Sequence, residues 1–154
     1  MKKLSAIALF LFLLAACSKD KFESKPQIKI ISVSNEVVPR PSPNPTSTTI
    51  TLGFADKEGD IDSSLIFIRQ RLNRRNTTMI ASQKFTVPEF PNKMEGEIQL
   101  VLNSTTQLSR GFNAIRIPGS GTLNEPDTMK LSFVLADKKG NRSDTVSTTV
   151  FVLR

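Results

Sequence analysis

The chain has 154 residues, 38% of them hydrophobic, with 21 lysines and arginines against 14 acidic residues, one cysteine, and no histidine, tryptophan or tyrosine. That is enough chain for one domain with a real core, and a lone cysteine leaves no intramolecular disulfide. The inventory excludes histidine-based acid–base catalysis, a Ser-His-Asp triad and histidine-liganded zinc, and it offers no Trp or Tyr as a stacking platform for nucleic acid. Lys2 and Lys3 precede an uncharged run from Leu4 to Ala16. The run is short of the roughly 20 apolar residues a bilayer span needs, but it has the charged start, apolar middle and small-residue end of a secretory signal. Residues 1–16 are therefore expected to be a leader, and without Lys2 and Lys3 the net charge of the remainder is +5. Ser18 to Pro26 is polar and pattern-free, which predicts a flexible tether.

Seven strands are predicted after it. Gln27 to Ser34 is rich in β-branched residues and slips phase between Ile30 and Ile31, as at a bulge. Pro39, Pro41, Pro43 and Pro45 cannot donate to a ladder and predict an extended loop. In Thr48 to Ala55, Ile50, Leu52 and Phe54 alternate with Thr49, Thr51 and Gly53, the period of a half-buried strand. Leu65 to Ile68 is apolar on both faces, as a central strand is, and turns polar at Arg69, Gln70 and Arg71, where it is expected to leave the core. Arg69, Arg71, Arg74 and Arg75 then read as a solvated strand end, with attraction to acidic polysaccharide or lipid headgroups as the other reading. Met79 to Val87 is a weaker strand, Glu95 to Leu102 turns Ile98, Leu100 and Leu102 inward, and both Met129–Leu135 and Val146–Val152 alternate cleanly. Between 103 and 127, Phe112, Ile115 and Ile117 suggest a short extra strand, and Pro118-Gly119-Ser120-Gly121 is turn chemistry. The pattern predicts an all-β fold over 27–154, a single antiparallel sandwich of immunoglobulin-like (fibronectin III-like) type without the usual cysteine pair and core tryptophan.

Leu14-Ala15-Ala16-Cys17 resembles the bacterial lipobox, which implies cleavage before Cys17, acylation of its thiol and anchorage in a membrane. Without that resemblance the leader alone implies an ordinary secreted protein with a free Cys17. Lys19-Asp20 partly resembles the charged export signal of surface lipoproteins in the Bacteroidota. Across the domain, the order PQIKIISVS, STTITLGFADKEGDI, VPEFPNKMEGEIQLVL, DTMKLSFVLADKKGNRSDTVST is similar to that of a group of Bacteroidota envelope lipoproteins. The resemblance implies the fold and a lipid-anchored place in the cell envelope, at the outer membrane, and brings no activity with it.

The residues that carry chemistry are few. Glu95 and Glu97 are a same-face carboxylate pair, but on the exposed face and without aromatic rings to cradle a sugar, so no enzyme is expected. Asp56, Glu58, Asp60 and Asp62 fall at alternate positions around Gly59. In an immunoglobulin-like fold the connection holding Asp137, Asn141 and Asp144 lies at the same end, so these residues together suggest a structural calcium site, the one cofactor the chain suggests. The other reading is ordinary turn chemistry, with a first loop of net charge −3 attracting a second of +1. Asp127-Thr128-Met129 and Asp144-Thr145-Val146 resemble a short O-glycosylation acceptor of Bacteroidota envelope proteins, making Thr128 and Thr145 candidates. The sequence thus suggests a non-catalytic module that binds an envelope protein or is structural. A glycan-binding accessory of a polysaccharide-uptake system is the alternative, disfavoured by the missing Trp and Tyr. The first strand should start at the end that carries the two loops, placing Gln27 with Gly59 and Gly140.

Overall fold

The computed structural model describes residues 25–61, 64–75, 80–90 and 92–154; the expected leader, Cys17, the tether as far as residue 24 and Asp62 lie outside the described residues. In chain order the strands are β1 (Gln27–Val33), β2 (Val37–Val38), β3 (Ser47–Ala55), β4 (Ser64–Arg71), β5 (Ile80–Thr86), β6 (Glu95–Asn103), β7 (Ile115–Arg116), β8 (Asn124–Glu125), β9 (Asp127–Ala136) and β10 (Val146–Val152). The seven long ones are those predicted. They form an all-β sandwich of one sheet ordered β1-β3-β6 and another ordered β2-β10-β9-β4-β5, with β7-β8 as a separate ribbon. Pairing is antiparallel throughout the long strands, and only β2 runs parallel to its neighbour β10. The placement of β1, β3 and β6 in one sheet and β4, β9 and β10 in the other is compatible with the immunoglobulin-like arrangement. Among the described residues no helix is long and apolar enough to cross a membrane.

Period-two patterning sets the core. Met129, Leu131, Phe133 and Leu135 of β9 are all fully buried, as are Leu65 and Phe67 of β4, and they meet Ile50, Leu52, Phe54, Ile98 and Leu102 from the other sheet. Each such side chain stabilises the fold by about 1.5–3 kcal/mol. Phe67 and Phe133 are partners in register and their rings stack at 5.4 Å, with Phe85 of β5 stacked on Phe67 at 5.8 Å. Outward positions behave as predicted on β6, where Val101 is 64% exposed. The bulge in β1 is present: pairing with β3 steps from Ile30↔Leu52 to Ser32↔Thr51 and leaves Ile31 over.

Two local departures have visible causes. The outer face of β3 is covered rather than solvated, because the Ile31 and Lys29 side chains lie across Gly53, whose missing Cβ would stand 2.9 Å from Ile31 Cδ1. After β1 the chain crosses to the other sheet, and β2 is clasped to β10 by Phe151 N–H to Glu36 O (2.7 Å) and Leu153 N–H to Val38 O (3.0 Å). The proline run is a loop, as predicted, closed by Thr46 Oγ1 donating to Pro39 O at 2.5 Å.

The expectation that β4 leaves the core at Arg69–Arg71 is overturned. Arg69 is 6% exposed and Arg71 is fully buried, while Arg74 and Arg75 are exposed as predicted. The reason is the excursion between β6 and β9, which folds back over the end of the sandwich. It opens with a five-residue π-helical turn, Ser104–Leu108, capped by Asn103 Oδ1, which accepts the N–H groups of Thr105 (2.9 Å) and Thr106 (3.2 Å). Arg69 Nη1 donates to the carbonyls of Leu108 and Arg110, both at 3.2 Å, and of Gln107. Arg71 Nη1 donates to Asn113 O (2.6 Å) and pairs with the fully buried Asp127 (3.2 Å), which Arg154 Nε also approaches at 3.1 Å. Phe112 lies against both guanidinium groups, 5.3 and 5.4 Å from its ring centre. Burial, and then the neighbouring Arg110, lower the pKa of Arg69 from its ordinary value.

Candidate functional site

The loops joining β3 to β4 and β9 to β10 emerge at one end of the sandwich. The start of β1 is there too, as expected: Gln27 pairs with Ala55, and Lys25 Nζ lies 3.2 Å from Asp144 Oδ1. The segment before β6 closes the group through Asp56 N–H to Met94 O at 2.7 Å.

The two loops are built alike. In each, an aspartate is followed three residues later by a glycine with positive φ, +65° at Gly59 and +86° at Gly140, a backbone that L side chains rarely adopt. In each, the aspartate accepts the N–H of the residue four positions on: Asp60 N–H to Asp56 Oδ2 at 3.1 Å, and Asn141 N–H to Asp137 Oδ1 at 2.8 Å. This is the turn chemistry legible in Asp-x-x-Gly-Asp/Asn. The loops are also tied to each other, by Lys138 N–H to Asp60 O at 3.3 Å and by an ion pair of Lys139 with Glu58.

They differ at the residue after the glycine. Asn141 has an amide, and its Nδ2 donates to Asp137 Oδ2 at 2.7 Å, so both oxygens of that carboxylate are engaged. An ionised Asp60 has no such donor to return to Asp56. Asp56 Oδ1 and Asp60 Oδ1 are buried and accept no hydrogen bond among the described residues. Asp56 and Asp137 are each 1% exposed, and one oxygen of each of Asp56, Asp60 and Asp137 lies within 4.8 Å of the other two. Burial, the Asp56 carboxyl and the charges of Asp137 and Asp56 raise the Asp60 pKa above its ordinary value, against the opposing pull of Lys139. The bond to Glu58 raises that of Lys139.

Of the residues singled out in the sequence, Asp56, Asp60 and Asp137 therefore converge. Asn141 orients Asp137, Glu58 is engaged by Lys139, and Asp144 is an exposed partner of Lys25. Asp62 lies outside the described residues. Thr145 is exposed beside Asp144, whereas Thr128 is half-buried in β9 between the buried Asp127 and Met129, its N–H donated to Asn73 Oδ1 at 2.9 Å. Glu95 and Glu97 line an open groove of about 470 Å³ together with Gln27, Lys29 and Ile31. Sequence reasoning missed the buried Arg71–Asp127–Arg154 group, although Arg69 and Arg71 continue the inward row Leu65, Phe67 at the same period. No family model matches the chain, and no curated protein matches it.

Proposed function

We propose that the chain is a lipid-anchored protein of the cell envelope, held at the outer membrane through acylated Cys17, whose immunoglobulin-like sandwich is a non-catalytic module for binding another envelope protein or for structural support. The observation that carries the reading is the order of its parts: a basic start, an apolar run closing on Leu14-Ala15-Ala16-Cys17, a polar tether, then a sandwich. A lipobox-like cysteine with several acyl chains makes a stable anchor, since each buried methylene contributes about 0.8 kcal/mol. The lack of histidine, and of any Trp or Tyr for sugar stacking, supports a non-catalytic contact with protein over a glycan site.

The test is incorporation of labelled palmitate with membrane fractionation in a bacterial host. The expected result is label and membrane association in the parent chain, both lost in Cys17→Ser. A parent chain that takes up no label and fractionates as a soluble protein refutes the anchor.

A further inference from the structure

We propose that Asp56, Asp60 and Asp137 bind a divalent cation, calcium in preference to magnesium, that ties the two loops together. The inference goes beyond membrane anchoring and does not depend on it. Three observations converge. The carboxylates come from two loops and place one oxygen each within 4.8 Å of the others. Two oxygens that each sit roughly 2.4 Å from one calcium ion are no more than about 4.8 Å apart, and all three pairs fall inside that limit. Asp56, almost wholly buried, has an oxygen with no hydrogen-bond partner among the described residues, on the carboxylate that gathers with Asp60 and Asp137. A buried acceptor left in that state is destabilising, the more so where the group is charged.

The second loop supplies the internal comparison. There the same turn is closed by an amide, and Asn141 satisfies Asp137 without outside help. In the first loop Asp60 occupies the equivalent position and brings a negative charge where a donor is required. Lys139, on the second loop, forms its ion pair with Glu58, outside the trio. A hard cation bridging the three carboxylates balances the negative charge they gather and gives the unbonded Asp56 oxygen a partner. All-oxygen ligands on bendable loops suit calcium, whose geometry is flexible; magnesium demands a near-ideal octahedron and keeps its water.

The intact chain, purified in detergent and stripped with EDTA, is titrated with calcium chloride alone to about 10 mM, above the 10⁻⁴–10⁻³ M range of extracellular calcium modules. Heat and thermal midpoint are read together, with magnesium chloride in parallel. The expected result is one calcium per chain, a midpoint that rises and returns on adding EDTA, and a smaller response to magnesium. Asp60→Asn rebuilds the amide closure of the second loop. It should melt above the parent in EDTA and bind calcium about tenfold or more weakly, since carboxylate count sets affinity. Asp144→Asn, at an exposed carboxylate outside the trio, should keep the response. A parent chain that gives neither heat nor a midpoint shift overturns the proposal, as does an Asp60→Asn chain with an undiminished response. The parent titration decides the matter alone if that variant does not fold.

Discussion

Arg71 has the largest side chain among the wholly buried residues described, and it carries a charge. Taking a guanidinium out of water costs several kcal/mol and is offset only by good partners; here they are Asp127, the Asn113 carbonyl and the face of Phe112. Asp127 answers two cations, Arg71 and Arg154, so its neutralisation takes a buried counter-charge from both. Asp127→Asn should therefore lower stability by about 3–5 kcal/mol. Arg71→Met should cost less, because Arg154 still faces the carboxylate; urea denaturation of the two variants gives the order. The sequence shows these arginines in phase with Leu65 and Phe67, but it does not show what lies opposite them. Their partners come from residues 104–127 and 154, so only the folded chain distinguishes a buried charge from a solvated strand end.

At the scale of elements, the strands were legible because inward rows such as Met129–Leu135 repeat every second residue over several positions. The two-residue β2, β7 and β8 are too short to carry a period, and the π-helical turn is set by Asn103 as a local cap. The paired turns were legible as well, since Asp-x-x-Gly needs only local geometry. Both glycines hold positive φ, yet their surroundings differ. A Cβ at Gly140 meets nothing within 4 Å, whereas one at Gly59 stands 3.3 Å from the Asn92 backbone carbonyl carbon. Gly140→Ala should cost about 1–2 kcal/mol for its backbone alone, and Gly59→Ala more, a ranking that chemical denaturation checks directly. On β9, Phe133→Ala removes the ring that stacks on Phe67 and should cost about 3–5 kcal/mol. On β6, Gly96→Ala places a methyl 2.7 Å from the buried Phe54 ring and should cost about 1–3 kcal/mol through overpacking.

For the whole molecule, the convergence of Asp56, Asp60 and Asp137 rests on topology: residues far apart in sequence meet because β3–β4 and β9–β10 turn at one end. At that same end Glu58 pairs with Lys139 and Asp144 with Lys25. The Lys25–Asp144 pair is exposed, so Asp144→Ala should change stability by less than about 1 kcal/mol, as thermal melting will report. A protein-binding module predicts one reproducible crosslinked partner in native membranes and no retention on a glycan array, and the reverse pattern refutes it. One feature of the first sheet has a mechanical side. β1 is bonded antiparallel to β3 from Gln27↔Ala55 to Val33↔Ile50, with its first residue at the loop end. A load entering at Lys25 and resisted at the far end runs along the strand, so these bonds share it in shear instead of opening one by one. If β1 does slide, the clasp of β2 on β10 lies next in line to hold the chain under tension.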